Sequence, residues 1–277
     1  RTIVRFSNGN SWVTNNRCER GEILGDPKDA SVRQQLADAK KSREQTPNLF
    51  KLRQELLFKD YPYPKAAKER DITIGLPRVL SYWETMPFWT TFWRALGFKI
   101  QLSDLSTRKI YEDGLSAVTS DTVCFPAKLV HGHLRNLAKK GVDRIFMPSI
   151  TTVTSENTES TSESMCAIVK GYPIVIRNSD NPEKRWHIPF DAPLFHWYKH
   201  EDRNRQLTGY MEKTFGISPA ETRQAIAAAD DAEKQFHDEM HRAGKAVLDK
   251  VTANGSYAVV LASRPYQNDA LVNHDLP

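Results

Sequence analysis

The run Asp71-Ile72-Thr73-Ile74-Gly75-Leu76-Pro77, then Tyr82-Trp83-Glu84-Thr85-Met86-Pro87-Phe88-Trp89-Thr90-Thr91-Phe92-Trp93-Arg94-Ala95-Leu96-Gly97, then Lys99-Ile100-Gln101-Leu102, decides the fold. Residues 72–76 are a short apolar strand stopped by Pro77, which has no amide proton for a ladder. Residues 82–96 carry aromatic side chains at helical spacing and end at Gly97, a helix stop. Residues 99–102 are the next strand. The pattern repeats outward: a helix over 126–140 closed by Gly141, a strand over 144–147 stopped by Pro148, then a Gly171-Tyr172-Pro173 turn and a strand over 174–176. Short apolar strands alternating with helices predict an α/β fold with a parallel, doubly wound sheet. Right-handed crossovers place the loops after the strands on one edge, where such folds bind ligands.

The flanks read differently. Residues 2–14 form two short strands around the turn Ser7-Asn8-Gly9-Asn10, a small N-terminal hairpin, followed by a loop over 15–21. Residues 31–58 are charged and helical, broken at Pro47. Tyr61-Pro62-Tyr63-Pro64 is an extended linker. The Ser/Thr/Glu run 151–164 is too polar to pack and is expected to be mobile. Ser218-Pro219-Ala220-Glu221 is a capping box with proline at the first helical position, opening a long helix to about residue 250. A strand is expected over 257–262. The division that follows is a hairpin and helical segment (1–64), an α/β domain with a long C-terminal helix (65–256), and the start of a second α/β lobe (257–277), cut short in this chain.

Composition excludes several classes. The 277 residues include 12 Phe, 9 Tyr and 6 Trp, enough to fill a core, so disorder of the whole chain is excluded. No uncharged apolar run approaches the roughly 18 residues of a membrane span, and no leader opens the chain, so a cytoplasmic protein is expected. The net charge of +5 is mild and spread out, with its densest pairs, Lys40-Lys41 and Lys139-Lys140, at helix ends. Cations there suit the helix dipole, so nucleic-acid binding is not expected.

There are three cysteines, Cys18, Cys124 and Cys166, with no C-x-x-C pair. That spacing argues against a disulfide framework and against a zinc ribbon. Cys124 precedes Phe125-Pro126, so it stands beside the free amides and positive end of the following helix, a place that favours thiolate. The alternative is a buried cysteine facing the sheet. Cys18 sits among Arg17, Glu19 and Arg20, and two arginines would stabilise a thiolate or an anionic cluster. Cys166 follows the polar run. All three flank loops, so they could meet at one site. His131 and His133, two apart on a helix, point to different faces and are poor joint ligands. His237 and His241 are four apart, but the intervening residues do not form H-E-x-x-H. Phosphate-cradling glycine motifs and G-x-S-x-G are absent.

The order Asn16-Arg17-Cys18-Glu19-Arg20-Gly21, Leu76-Pro77-Arg78-Val79-Leu80, Pro87-Phe88-Trp89, Cys124-Phe125-Pro126-Ala127-Lys128-Leu129-Val130-His131-Gly132-His133, Cys166 with Gly171-Tyr172-Pro173, and Arg264-Pro265-Tyr266 resembles the 2-hydroxyacyl-CoA dehydratase and CoA-enzyme activase-related proteins. It is most similar to the uncharacterised domain fused behind the ATP-dependent activase module. The resemblance spans nearly the whole chain and implies Rossmann-like α/β lobes. It implies a [4Fe–4S] cluster held by Cys18, Cys124 and Cys166, with Arg17 and Arg20 offsetting its charge and Lys128 and His131 lying around it. It also implies single-electron transfer or radical dehydration of an acyl-CoA, with an ATP-dependent activase as partner. Relatives usually have Cys-Pro at the third cysteine, whereas this chain has Cys166-Ala167. The activase ATPase module itself is absent. The alternative is a metal-free α/β module that keeps the fold and docks the activase.

Overall fold

The computed structural model describes residues 2–14, 23, 28–153, 159, 164–197, 199–274 and 276–277. They fall into two compact units, residues 1–49 with 276–277, and residues 50–275. In the first, β1 (Thr2–Arg5) pairs antiparallel with β2 (Ser11–Thr14), matching Ile3 with Val13. Gly9, at a φ of 84°, supplies the left-handed backbone of the hairpin turn. Helix α1 (Ala30–Gln45) belongs to the same unit.

The second unit carries the α/β fold. Helix α2 (Leu49–Phe58) buries Leu56 and Leu57, and the Tyr61 hydroxyl returns to the Leu56 carbonyl at 2.9 Å. Strand β3 (Arg70–Leu76) leads to α3 (Tyr82–Ala95) and β4 (Phe98–Leu102). Helix α3 is the core element. Trp83, Trp89 and Trp93 are fully buried, and its rings meet those of the neighbouring elements edge to face, as Trp93 meets Phe146 at 5.1 Å. Gly97 ends it at a φ of 81°, and a side chain there would strike the Lys68 carbonyl.

Helices α4 (Arg108–Leu115) and α5 (Phe125–Lys139) precede β5 (Arg144–Phe146) and β6 (Ser149–Ile150). Helices α6 (Ala167–Ser179) and α7 (Pro182–Trp186) lead to β7 (Phe190–Asp191) and β8 (Leu194–Phe195). The main sheet is parallel, in the order β4-β3-β5-β7, with Ile74 registered against Ile100 on one side and Arg144 on the other. Strand β6 pairs separately with β8. The chain leaves β3 to one side and returns to the other, so the β3–β5 boundary is a topological switch point. The expected doubly wound α/β fold is therefore observed. Helix α8 (His200–Phe215) and the long α9 (Pro219–Asn254) pack behind it. Ser218 caps α9 as expected, accepting the Glu221 amide at 3.2 Å.

Two expectations are corrected. Residues 174–176 are not a strand, and Gly171-Tyr172-Pro173 is not a turn, because both lie inside α6. Val169, Tyr172, Pro173 and Ile176 are the buried positions, and their spacing is that of one helix face, so packing overrides the local β-branched run. Residues 257–262 form no strand, with Tyr257 86% and Val260 83% exposed. A β-branched run becomes a strand only when another strand satisfies its amides, and none lies beside this one among the described residues. A 3-10 turn (Pro265–Asn268) and the short α10 (Ala270–Asn273) follow. The loop expected over 15–21 and most of 151–164 lie outside the described residues. The base of the latter is closed by an antiparallel bridge between Thr152 and Ser164.

Candidate functional site

Helices α5 and α6 both run back from the carboxyl edge of the sheet, and both begin with a cysteine as N-cap. Cys124 caps α5 in extended backbone, with Pro126 in the first turn, as its sequence predicts. It is exposed, which removes the alternative of a core cysteine facing the sheet. Cys166 caps α6 and is half-buried. The Val169 amide first, then that of Ile168 and the charges of Arg264 and Lys170, favour its thiolate, so its thiol titrates below the ordinary range despite some burial.

The C-terminal turn faces the Cys124 cap. A cavity of about 410 Å³ has Cys124, Phe125 and Pro126 on one wall and Arg264, Tyr266 and His274 on the other. The Tyr266 hydroxyl is held in its neutral form first by burial and then by the charges that Cys166 and Cys124 would carry. One tyrosine thus lies within electrostatic reach of both cysteines.

The His-Gly-His stretch serves the body of α5. Gly132 lies where α5 crosses α4, and a Cβ there would stand 1.9 Å from the Ile110 carbonyl oxygen. A Cβ on Gly114 of α4 would stand 2.3 Å from the Gly132 amide nitrogen, so the crossing needs glycine on both helices. The histidines on either side point apart, as expected. Both are fully buried. His131 Nδ1 lies 2.6 Å from Asp180 Oδ2, and its Nε2 lies 3.0 Å from the Tyr172 hydroxyl. Arg185 forms an ion pair with the other Asp180 oxygen. Tyr172 is pushed up to about 12, by burial first and then by Cys124 and Asp180, so this network ends near the Cys124 thiol. His133 bonds two serines, Ser103 at 2.7 Å and Ser106 at 2.9 Å.

Of the other residues singled out in the sequence, Lys128 donates to the Asp121 carbonyl at 2.9 Å and so ties down the loop before Cys124. Cys18, Arg17 and Arg20 lie outside the described residues. Sequence reasoning missed the cavity wall at Tyr266 and His274 and the residues that hold it. Arg264-Pro265-Tyr266 was the one available signal. Two cysteine sulfurs at helix N-termini, that of Cys166 biased toward thiolate, are soft donors of the kind that hold an iron–sulfur cluster. Among the described residues, no three His, Cys, Asp or Glu side chains gather around a point that could hold a metal ion. No helix of the described residues is long and apolar enough to cross a membrane.

Residues 73–277 match the family model described as the CoA enzyme activase uncharacterised domain. No curated protein and no solved structure shows significant similarity to the chain.

Proposed function

We propose, on the premise that this chain belongs to the family of the CoA enzyme activase uncharacterised domain, that it is a cytoplasmic iron–sulfur domain passing single electrons in partnership with an ATP-dependent activase. The observation that carries this reading is the pair of cysteine-capped helix starts, Cys124 and Cys166, acting on one tyrosine beside one cavity. Each cap offers a thiolate to iron. Cys18 is the third ligand the family resemblance implies, with Arg17 and Arg20 to balance charge. A bound cluster would supply one-electron chemistry. The chain's own contribution is to keep the Cys166 ligand anionic. The amides of Val169 and Ile168 and the Arg264 guanidinium do this at Cys166. The His131–Tyr172 pair stabilises the surroundings of Cys124, and Lys128 fixes the loop that presents it. The cavity is the place where an acyl-CoA would approach.

A second reading, a metal-free module that docks the activase, is favoured by Cys166-Ala167, which stands where relatives have Cys-Pro, and by the lack of a fourth cysteine in the sequence. Anaerobic reconstitution with iron and sulfide separates the two. A brown protein with broad absorption near about 400 nm supports the first reading. A colourless, folded protein that still binds the activase supports the second.

A further inference from the structure

We infer that residues 264–274 are a latched lid over the Cys124 cavity, and that Asp269, Ser106 and His133 are the positioning residues of the latch. The inference does not depend on what the cavity binds. It rests on three features of the second unit. First, one whole wall of the cavity, including Arg264, Tyr266 and His274, belongs to this short segment, and the opposite wall is the start of α5. Second, the chain that leads into the segment is exposed. Gly255 ends α9 in left-handed backbone at a φ of 60°, and no strand or helix follows until Pro265. The segment is therefore tethered by a flexible connection and held in place by its own contacts.

Third, those contacts are specific and buried. Asn268 and Asp269 are 5% and 3% exposed. Asn268 Nδ2 donates to the Phe50 carbonyl at 3.0 Å. Asp269 Oδ2 accepts the Ser106 hydroxyl, and its Oδ1 caps α10 through the Leu271 amide at 2.9 Å. Donor and acceptor roles can be followed back from Ser106. The Asp269 carboxylate only accepts, so the Ser106 hydroxyl donates to it and takes hydrogen from His133 Nε2. The neutral ring then has a bare Nδ1, which accepts the Ser103 hydroxyl, while Ser103 Oγ accepts the Arg78 amide at 2.8 Å. Each group gives one bond and takes one, in a single direction, from the loop after β3 to the lid. Removing a middle member leaves buried polar atoms unpaired on the lid side, and the lid should release there first.

The test uses the full chain, and the readout is local because the Cys124 thiol is already exposed with the lid in place. Ser106→Ala should raise amide exchange in residues 264–274 about tenfold while exchange in α5 stays unchanged. Ser106→Thr, which keeps the hydroxyl, should restore the parent's exchange. A merely structural loss would raise exchange throughout the unit. Unchanged exchange over 264–274 in Ser106→Ala, or no rescue by threonine, overturns the latch. If Ser106→Ala melts the whole unit, Asn268→Ala breaks the other tie outside the histidine core. A local rise in exchange over 264–274 in that variant then supports the lid, and no rise overturns it.

Discussion

His131 and His133 stand two residues apart on α5, equally buried, and are used in opposite ways. His131 faces α6 and α7, where its ring bonds directly to a carboxylate that Arg185 also holds. His133 faces the loop after β4, where hydroxyls alone touch the ring and the nearest bonded carboxylate, Asp269, is one serine away. Burial first, and then Arg78, press the His133 pKa down to about 3, against a weaker opposing pull from Asp104. His133 is thus a neutral wire. The lesson is that burial of a ring does not set its role. What the adjoining element presents sets it, and Gly132 between the two lets three elements close on one helix at once.

The largest effect should come from removing that common hinge. Gly132→Ala puts a methyl against the Ile110 carbonyl, and α4 and α5 must part. Thermal melting should show a loss of more than about 4 kcal/mol, the range reserved for changes that rearrange packing. A variant that melts like the parent would mean that the helices do not cross in this way. Next, the two faces should differ in cost. Asp180→Asn removes a buried carboxylate that bonds His131 and Arg185, whose guanidinium is 43% exposed, and should cost about 2–3 kcal/mol. Ser106→Ala breaks neutral bonds and should cost about 1–2 kcal/mol. Equal losses in denaturant titration would erase the distinction between the faces.

The pH profile sharpens the same contrast. An unfolded histidine takes a proton near its usual value of about 6.5, whereas folded His133 resists until about 3. Its contribution to stability is therefore complete above about pH 6.5. It falls as pH drops toward 3, by at most about 1.4 kcal/mol per pH unit. His133→Gln should flatten that limb of the stability curve. Glu233 on α9 works in the other direction. Burial, and then the charges of Asp230 and Glu84, outweigh Arg203 and raise its pKa to about 7. A carboxyl raised in the fold favours the protonated native state at low pH and destabilises as pH climbs through 7. Glu233→Gln should therefore stabilise by about 1–3 kcal/mol at pH 8 and change little at pH 4. A gain of the same size at both pH values would show that packing, not charge, is responsible.

Much of the α/β unit was legible because proline and glycine mark its boundaries. Pro77, Gly97, Gly141 and Pro148 end the elements they were expected to end. The failures have one cause. In α6 and at 257–262, β-branched residues suggested strands, but a strand needs a neighbour and a helix needs only a face to bury. The spacing of Val169, Tyr172, Pro173 and Ile176 held the correct reading of α6. At the site, Cys124 was legible as a cap because Pro126 follows it locally. The opposite wall was not, because Ser106 and Asp269 are 163 residues apart in the chain and no local pattern joins them.

The iron–sulfur reading stands or falls on a count of iron and acid-labile sulfide per chain after anaerobic reconstitution. The count is made on the parent, Cys124→Ser and Cys166→Ser proteins, with a thermal melt of each. The account predicts roughly four of each in the parent, as a cubane cluster requires. It also predicts a collapse of both counts in either variant while the melts stay close, since one sulfur-to-oxygen change at a helix cap removes little buried apolar surface. A folded parent that takes up no iron, or a Cys124→Ser protein that keeps its full complement, would contradict it.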